Sequence, residues 1–124
     1  MEDQRRIVYE AMKERFNPDY GFEDFNRDFK DWYFDYIYRE QCIGAVISRN
    51  GFIHIGILPE YRKRWASKNE IIYLIKRAMK DGKARTTIFR DDKFRKDFAE
   101  RIGFKMIDDN EIQTYEVDYE NIWK

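Results

Sequence analysis

The sequence predicts a mixed α/β fold in the order ααβββαβαββ. Three observations carry that prediction: two apolar β-runs meeting at Asn50-Gly51, a helical stripe from Ser67 to Lys80, and a further strand, helix and strand pair after it. Asn and Gly both tolerate the positive φ that a two-residue type I′ turn demands, so the runs on either side are expected to form an antiparallel hairpin. At 124 residues the chain is one domain's worth.

Taken in order, residues 2 to 16 place Val8, Ala11, Met12 and Arg15 or Phe16 at helical spacing, and Asn17-Pro18 stops the pattern. Phe22, Phe25 and Phe29 recur at three- and four-residue intervals and predict a short second helix within 19–30. Three β-runs follow in quick succession, Trp32 to Tyr38, Cys42 to Ser48 and Phe52 to Leu58, and form a meander. The next helix carries Ile71, Ile72, Leu74, Ile75, Ala78 and Met79 on its stripe and ends at Asp81-Gly82. Ala84 to Arg90 reads as a strand. Asp91 or Asp92 caps a helix with the stripe Phe94, Phe98 and Ile102, closed by Gly103, and Phe104 to Ile107 pairs with Ile112 to Val117.

Composition narrows the function classes. Basic and acidic side chains balance at 24 each, so any nucleic-acid affinity has to come from a local patch. The cluster at 62–68, interleaved with Tyr61 and Trp65, is short, and "KDGKAR" at 80–85 is the one other basic concentration, so nucleic acid is a disfavoured partner. Cys42 is the single cysteine and His54 the single histidine, which leaves no intrachain disulfide, no thiolate zinc site and no multi-histidine metal site. The charged start MEDQRRIVYE is unlike a signal peptide, and no apolar run approaches the roughly 20 residues of a membrane span. A cytoplasmic protein with no membrane partner is expected.

The stretch "ILPEYRKRWASKNEIIYLIKRAM", residues 57–79, holds the chemistry. It runs from a strand end through a basic loop into a helix, a place where backbone amides and the helix dipole attract anions. Between Gly56 and Gly82 it has no glycine to bring the backbone close to a phosphate. Arg62, Lys63, Arg64 and Lys68 offer charge instead, while the Trp65 indole has to turn away if a diphosphate is to fit. Ser67-Lys68-Asn69-Glu70 is also a capping-box pattern, and plain N-capping is the favoured role for Ser67 over phosphate binding.

The element order, the loop at 59–67 and "FAERIGF" at 98–104 together resemble the GCN5-related N-acetyltransferase family. The resemblance covers residues 1–118 as a single domain, with 119–124 as a tail, and lacks the family's usual first strand. It implies a mixed, mostly antiparallel sheet of about six strands with helices on both faces. It also implies acetyl transfer from acetyl-coenzyme A to an amine that the sequence does not identify. The family's diphosphate loop, Q/R-x-x-G-x-G/A, falls on Arg62 to Ser67 with Trp65 at the first glycine, so the implied cofactor residues are Ile57, Leu58, Arg62, Lys63, Arg64, Trp65, Ala66 and Ser67. "PEYRKRW" further resembles phage-encoded members in which Arg-x-Arg-Trp replaces the glycines, which extends the expected location to a host cytoplasm or a virion.

Acetyl transfer asks for a base to free the amine and an acid for the departing thiolate. Where the resemblance implies a tyrosine acid stands Ala99, and where it implies an asparagine stands Asp92. His54 is the candidate base, weighed against a packed strand histidine, and Glu40 and Glu60 are titratable alternatives. In "DWYFDYIYRE" alternation sets Trp32, Phe34, Tyr36 and Tyr38 on one face, read as core in preference to a substrate groove. The competing function is a catalytically silent interaction or structural protein of the same fold, with a protein partner or a homo-oligomer. For that contact "YENIWK" is the foremost segment unless it folds back on its own domain.

Overall fold

The computed structural model describes residues 2–63 and 65–123, with Glu2 by its backbone alone. Six strands hydrogen-bond in the order β1-β2-β3-β4-β6-β5. They are β1 (Tyr33–Tyr38), β2 (Cys42–Arg49), β3 (Phe52–Ile57), β4 (Lys83–Phe89), β5 (Lys105–Asp108) and β6 (Ile112–Asp118). The helices are α1 (Glu2–Met12), α2 (Phe22–Asp28), α3 (Lys68–Ala78) and α4 (Lys93–Ile102). The mixed α/β fold and the order ααβββαβαββ are those the sequence predicts. Neighbours pair antiparallel in β1/β2, β4/β6 and β5/β6, and parallel in β3/β4. The chain divides into two compact units, Met1–Arg49 with His54–Ser67 and Asn50–Ile53 with Lys68–Lys124.

In the first unit α1 lies on β2, and Val8, Met12, Phe25, Ala45 and Ile47 form the centre of the core. Trp32, Phe34 and Tyr36 pack against that centre, together with Tyr9, Phe16, Phe22 and Phe29. The aromatic face of β1 is therefore core, with the exception of Tyr38, which stands exposed at the strand end. Ring contacts run through the cluster at 4.6 to 6.4 Å, among them Phe16–Tyr20, Phe25–Phe29 and Phe29–Trp32. Aromatic rings bury a large apolar area per residue, so a unit this small can still fill its interior. α1 stops at Met12, four residues short of the sequence pattern's limit, and gives way to a single 3₁₀ turn, Lys13–Arg15.

At the β2 bulge Ile37 stands opposite Gly44 and Tyr38 opposite Cys42. A side chain at Gly44 would meet β3 head on, since a Cβ there lies 1.9 Å from the Gly56 carbonyl oxygen.

The second unit begins at the hairpin turn, where Asn50 and Gly51 have φ of 54° and 86°, as a type I′ turn requires. The Gly51 carbonyl accepts from Arg85 N–H, and Phe52 stands opposite Arg85. Ala84, Ile88, Gln113, Tyr115 and Val117 make the buried face of β4 and β6, while the opposite face pairs Lys83 with Asp118 and Arg85 with Glu116. Asp92 caps α4 by accepting from Arg95 N–H at 3.2 Å. The expected α4 stripe is corrected at its start: Phe94 is 72% exposed, and the inward positions are Ala99 and Ile102. The C-terminal segment folds back, with Ile122 buried, Trp123 N–H bonded to the Ile102 carbonyl, and Lys76 over the Tyr119 ring at 4.1 Å.

Candidate functional site: a glycine-free basic loop

The loop of interest leaves β3 at Leu58 and forms a 3₁₀ turn at Pro59–Tyr61. Proline at the first position of that turn has the φ the turn needs, and no amide hydrogen is lost that the turn would use. Leu58 N–H donates to the Ile43 carbonyl of β2. Because polar groups of successive strand residues point to opposite edges, the carbonyls of Ile55 and Ile57 open on the edge away from β2. Arginines meet both of them. Arg15 donates to the Ile55 carbonyl, and Arg62 Nε donates to the Ile57 carbonyl at 2.9 Å.

Arg62 does more than close the strand edge. Its guanidinium also donates to the Ala11 carbonyl at 3.0 Å and pairs with Glu14 at 2.7 Å. The Ala11 carbonyl belongs to the last turn of α1, where carbonyls lack helical partners and the dipole favours a cation. One side chain thus ties the loop to the end of β3 and to the end of α1.

Trp65 is 7% exposed, so its indole is buried. Its carbonyl accepts from the Arg39 guanidinium. Lys63 and Ser67 are exposed and Ala66 half-buried, Arg64 lies outside the described residues, and α3 starts at Lys68 directly after Ser67. Lys68 stands over the Trp123 ring at 5.4 Å.

His54 is half-buried, stacked on Trp32 at 5.6 Å and edge-on to Phe29 at 6.5 Å. Burial, helped by the charge of Arg15, pushes its pKa down to about 4, so the imidazole is neutral at physiological pH. The packed strand histidine describes this site. Glu40 and Glu60 are exposed loop residues. Ala99 is buried, and its carbonyl accepts from the N–H groups of Gly103 and Phe104. The Cys42 thiol is buried, which raises its pKa. Among the described residues no group of three or more His, Cys, Asp or Glu could hold a metal ion, and no helix is long and apolar enough to cross a membrane.

Sequence reasoning missed Arg15, Arg39 and Glu14, which are distant from the loop in the chain. Glu14 carried a signal: a carboxylate just past a helix C-terminus opposes the dipole, and a cation from elsewhere relieves that.

No protein-family model matches the chain, and no curated protein matches it in sequence. Among solved structures, the chain is similar to the crystal structure of the PaiA N-acetyltransferase from Thermoplasma acidophilum in complex with coenzyme A. The TM-score is 0.64 at 15% identity, over 95% of this chain and 92% of that one. The fold is therefore of N-acetyltransferase type.

Proposed function

We infer that the protein is a member of the GCN5-related N-acetyltransferase family that moves the acetyl group of acetyl-coenzyme A to an amine. The observation that carries this reading is the near full-length likeness to an N-acetyltransferase with coenzyme A bound, joined to a basic loop in the place the resemblance assigns to the diphosphate.

The loop fits the ligand's chemistry. The Trp65 indole is buried and so does not project from the loop into solvent, which supports room for a diphosphate at a glycine-free turn. Exposed Lys63, with Ala66 and Ser67 after it, offers charge and backbone N–H groups, and Ile57 and Leu58 lead the strand edge into the loop. Arg64 completes this set in sequence. The acceptor is a primary or secondary amine in its neutral form. Its nitrogen attacks the thioester carbonyl carbon, the C–N bond forms as the C–S bond breaks, the amine proton passes to solvent, and the thiolate takes a proton from solvent. On this reading positioning of the two reactants supplies the rate, since Ala99 carries no titrating group and burial makes His54 a weak base.

Isothermal titration of coenzyme A and acetyl-coenzyme A into the wild type tests the reading. Micromolar affinity for both supports it. No binding at millimolar ligand overturns it in favour of a silent interaction protein of this fold, for which co-purification of a protein partner or homo-oligomer is the next measurement.

A further inference from the structure

The arginine at the head of the loop has each of its three guanidinium nitrogens engaged by its own protein. Nε meets the Ile57 carbonyl, one terminal nitrogen meets the Ala11 carbonyl, and the other meets Glu14. Its side chain is 28% exposed, against 49% for Glu14. The planar fork of arginine fits such a three-way contact, which a lysine ammonium cannot reproduce at the same positions. A phosphate could take only the N–H groups left over on the two terminal nitrogens, since the orientation of the fork is already set by two backbone carbonyls and a carboxylate. Loop shape is thereby coupled to the α1 end, 51 residues away in sequence.

We propose that Arg62 is a positioning residue of the anion-binding loop, held by Glu14, and that direct phosphate contact falls to the loop backbone and Lys63. This rests on the acetyl-coenzyme A reading above. Glycine loops reach a phosphate by backbone freedom; here the loop is tethered by Arg62 at its head and by Arg39 at the Trp65 carbonyl. Glu14 is the informative side chain, because a direct-ligand role and a positioning role for Arg62 predict opposite effects of neutralising it. Glu14→Gln keeps every loop cation and loosens the clasp. A direct phosphate ligand released from its carboxylate would bind an anion as well as before or better, whereas a positioning residue would lose its hold.

The test pairs two measurements on wild type, Glu14→Gln, Arg62→Lys and Arg62→Ala. The first is hydrogen exchange of the free protein. The expected result is that amides of residues 61–67 exchange roughly tenfold faster in all three variants, with β2 amides unchanged; unaltered loop exchange in Glu14→Gln and Arg62→Lys overturns the clasp. The second is titration with coenzyme A, for which the expected weakening in Glu14→Gln is about three- to tenfold. Equal or tighter binding by Glu14→Gln, with loss in Arg62→Ala, overturns positioning in favour of a direct phosphate contact. Failure of the wild type to bind overturns the cofactor reading and the ligand half of this inference together, and the exchange data still decide whether Glu14 and Arg62 order the loop.

Discussion

Two side chains, one missing and one aromatic, show how much a single position decides. At Gly44 the bulge brings β2 onto the backbone of β3, and the atom in the way of a Cβ is a carbonyl oxygen that cannot swing aside. Gly44→Ala is expected to lose about 3 kcal/mol or more of stability, read from the shift of the urea midpoint at constant slope. Gly56 is a milder case, since a Cβ there meets the flexible Met12 side chain. His54 titrates at about 4 in the folded state, below its ordinary 6.5. Between those values the unfolded chain holds a proton that the folded chain does not, so stability falls as the pH drops through this window. The slope approaches about 1.4 kcal/mol per pH unit. His54→Phe, which keeps a ring between Trp32 and Phe29, is expected to remove that component. A wild-type minus variant stability difference that stays flat from pH 7 to 4 would contradict the burial argument.

At the level of elements the loop is the unusual part, because side chains from elsewhere in the chain, Arg39 and Glu14, help to hold it. Trp65 occupies the place of a conformationally free residue yet serves as an anchor, with its ring buried and its carbonyl held by Arg39. Trp65→Gly puts a glycine where the resembling family carries one and should, if the tryptophan were an obstruction, improve the site. The packing says otherwise: removing a buried indole leaves a cavity, with an expected loss of about 3–5 kcal/mol, and coenzyme A affinity is expected to fall with loop order. Tighter binding by Trp65→Gly in a folded preparation, measured by titration beside a thermal melt, would refute the anchor. The aromatic β1 followed a rule legible in advance: alternation assigns Trp32, Phe34 and Tyr36 to one face, and all three pack on the core. In α4 the same kind of reading slipped at Phe94, because a 3.6-residue stripe admits more than one phase when aromatic residues stand on two faces of a helix.

Across the whole molecule, the elements were legible because each is written locally: the Asn50-Gly51 turn, the Asp92 cap and the α3 stripe all act within a few residues. The loop's basic content and its place before α3 were equally plain. Its fixing points were not, since Arg62–Ala11, Arg62–Glu14 and Arg39–Trp65 join residues distant in the chain, and no periodicity marks such pairs. Catalytic groups present the same asymmetry. The sequence shows Ala99 where an acid is expected, and the structure stacks His54 on Trp32 as a half-buried neutral ring. On the proposed acetyl-transfer reading, with positioning as the source of rate, the reaction depends on the amine arriving already neutral. Its kcat/KM should therefore rise about tenfold per pH unit until the pH passes the acceptor's own pKa, and the midpoint should move with that pKa across a panel of primary amines. His54→Phe should leave the profile unmoved even where it alters stability. An inflection fixed near neutral pH for every acceptor would reveal a protein base: His54 if His54→Phe removes it, another side chain if it persists there.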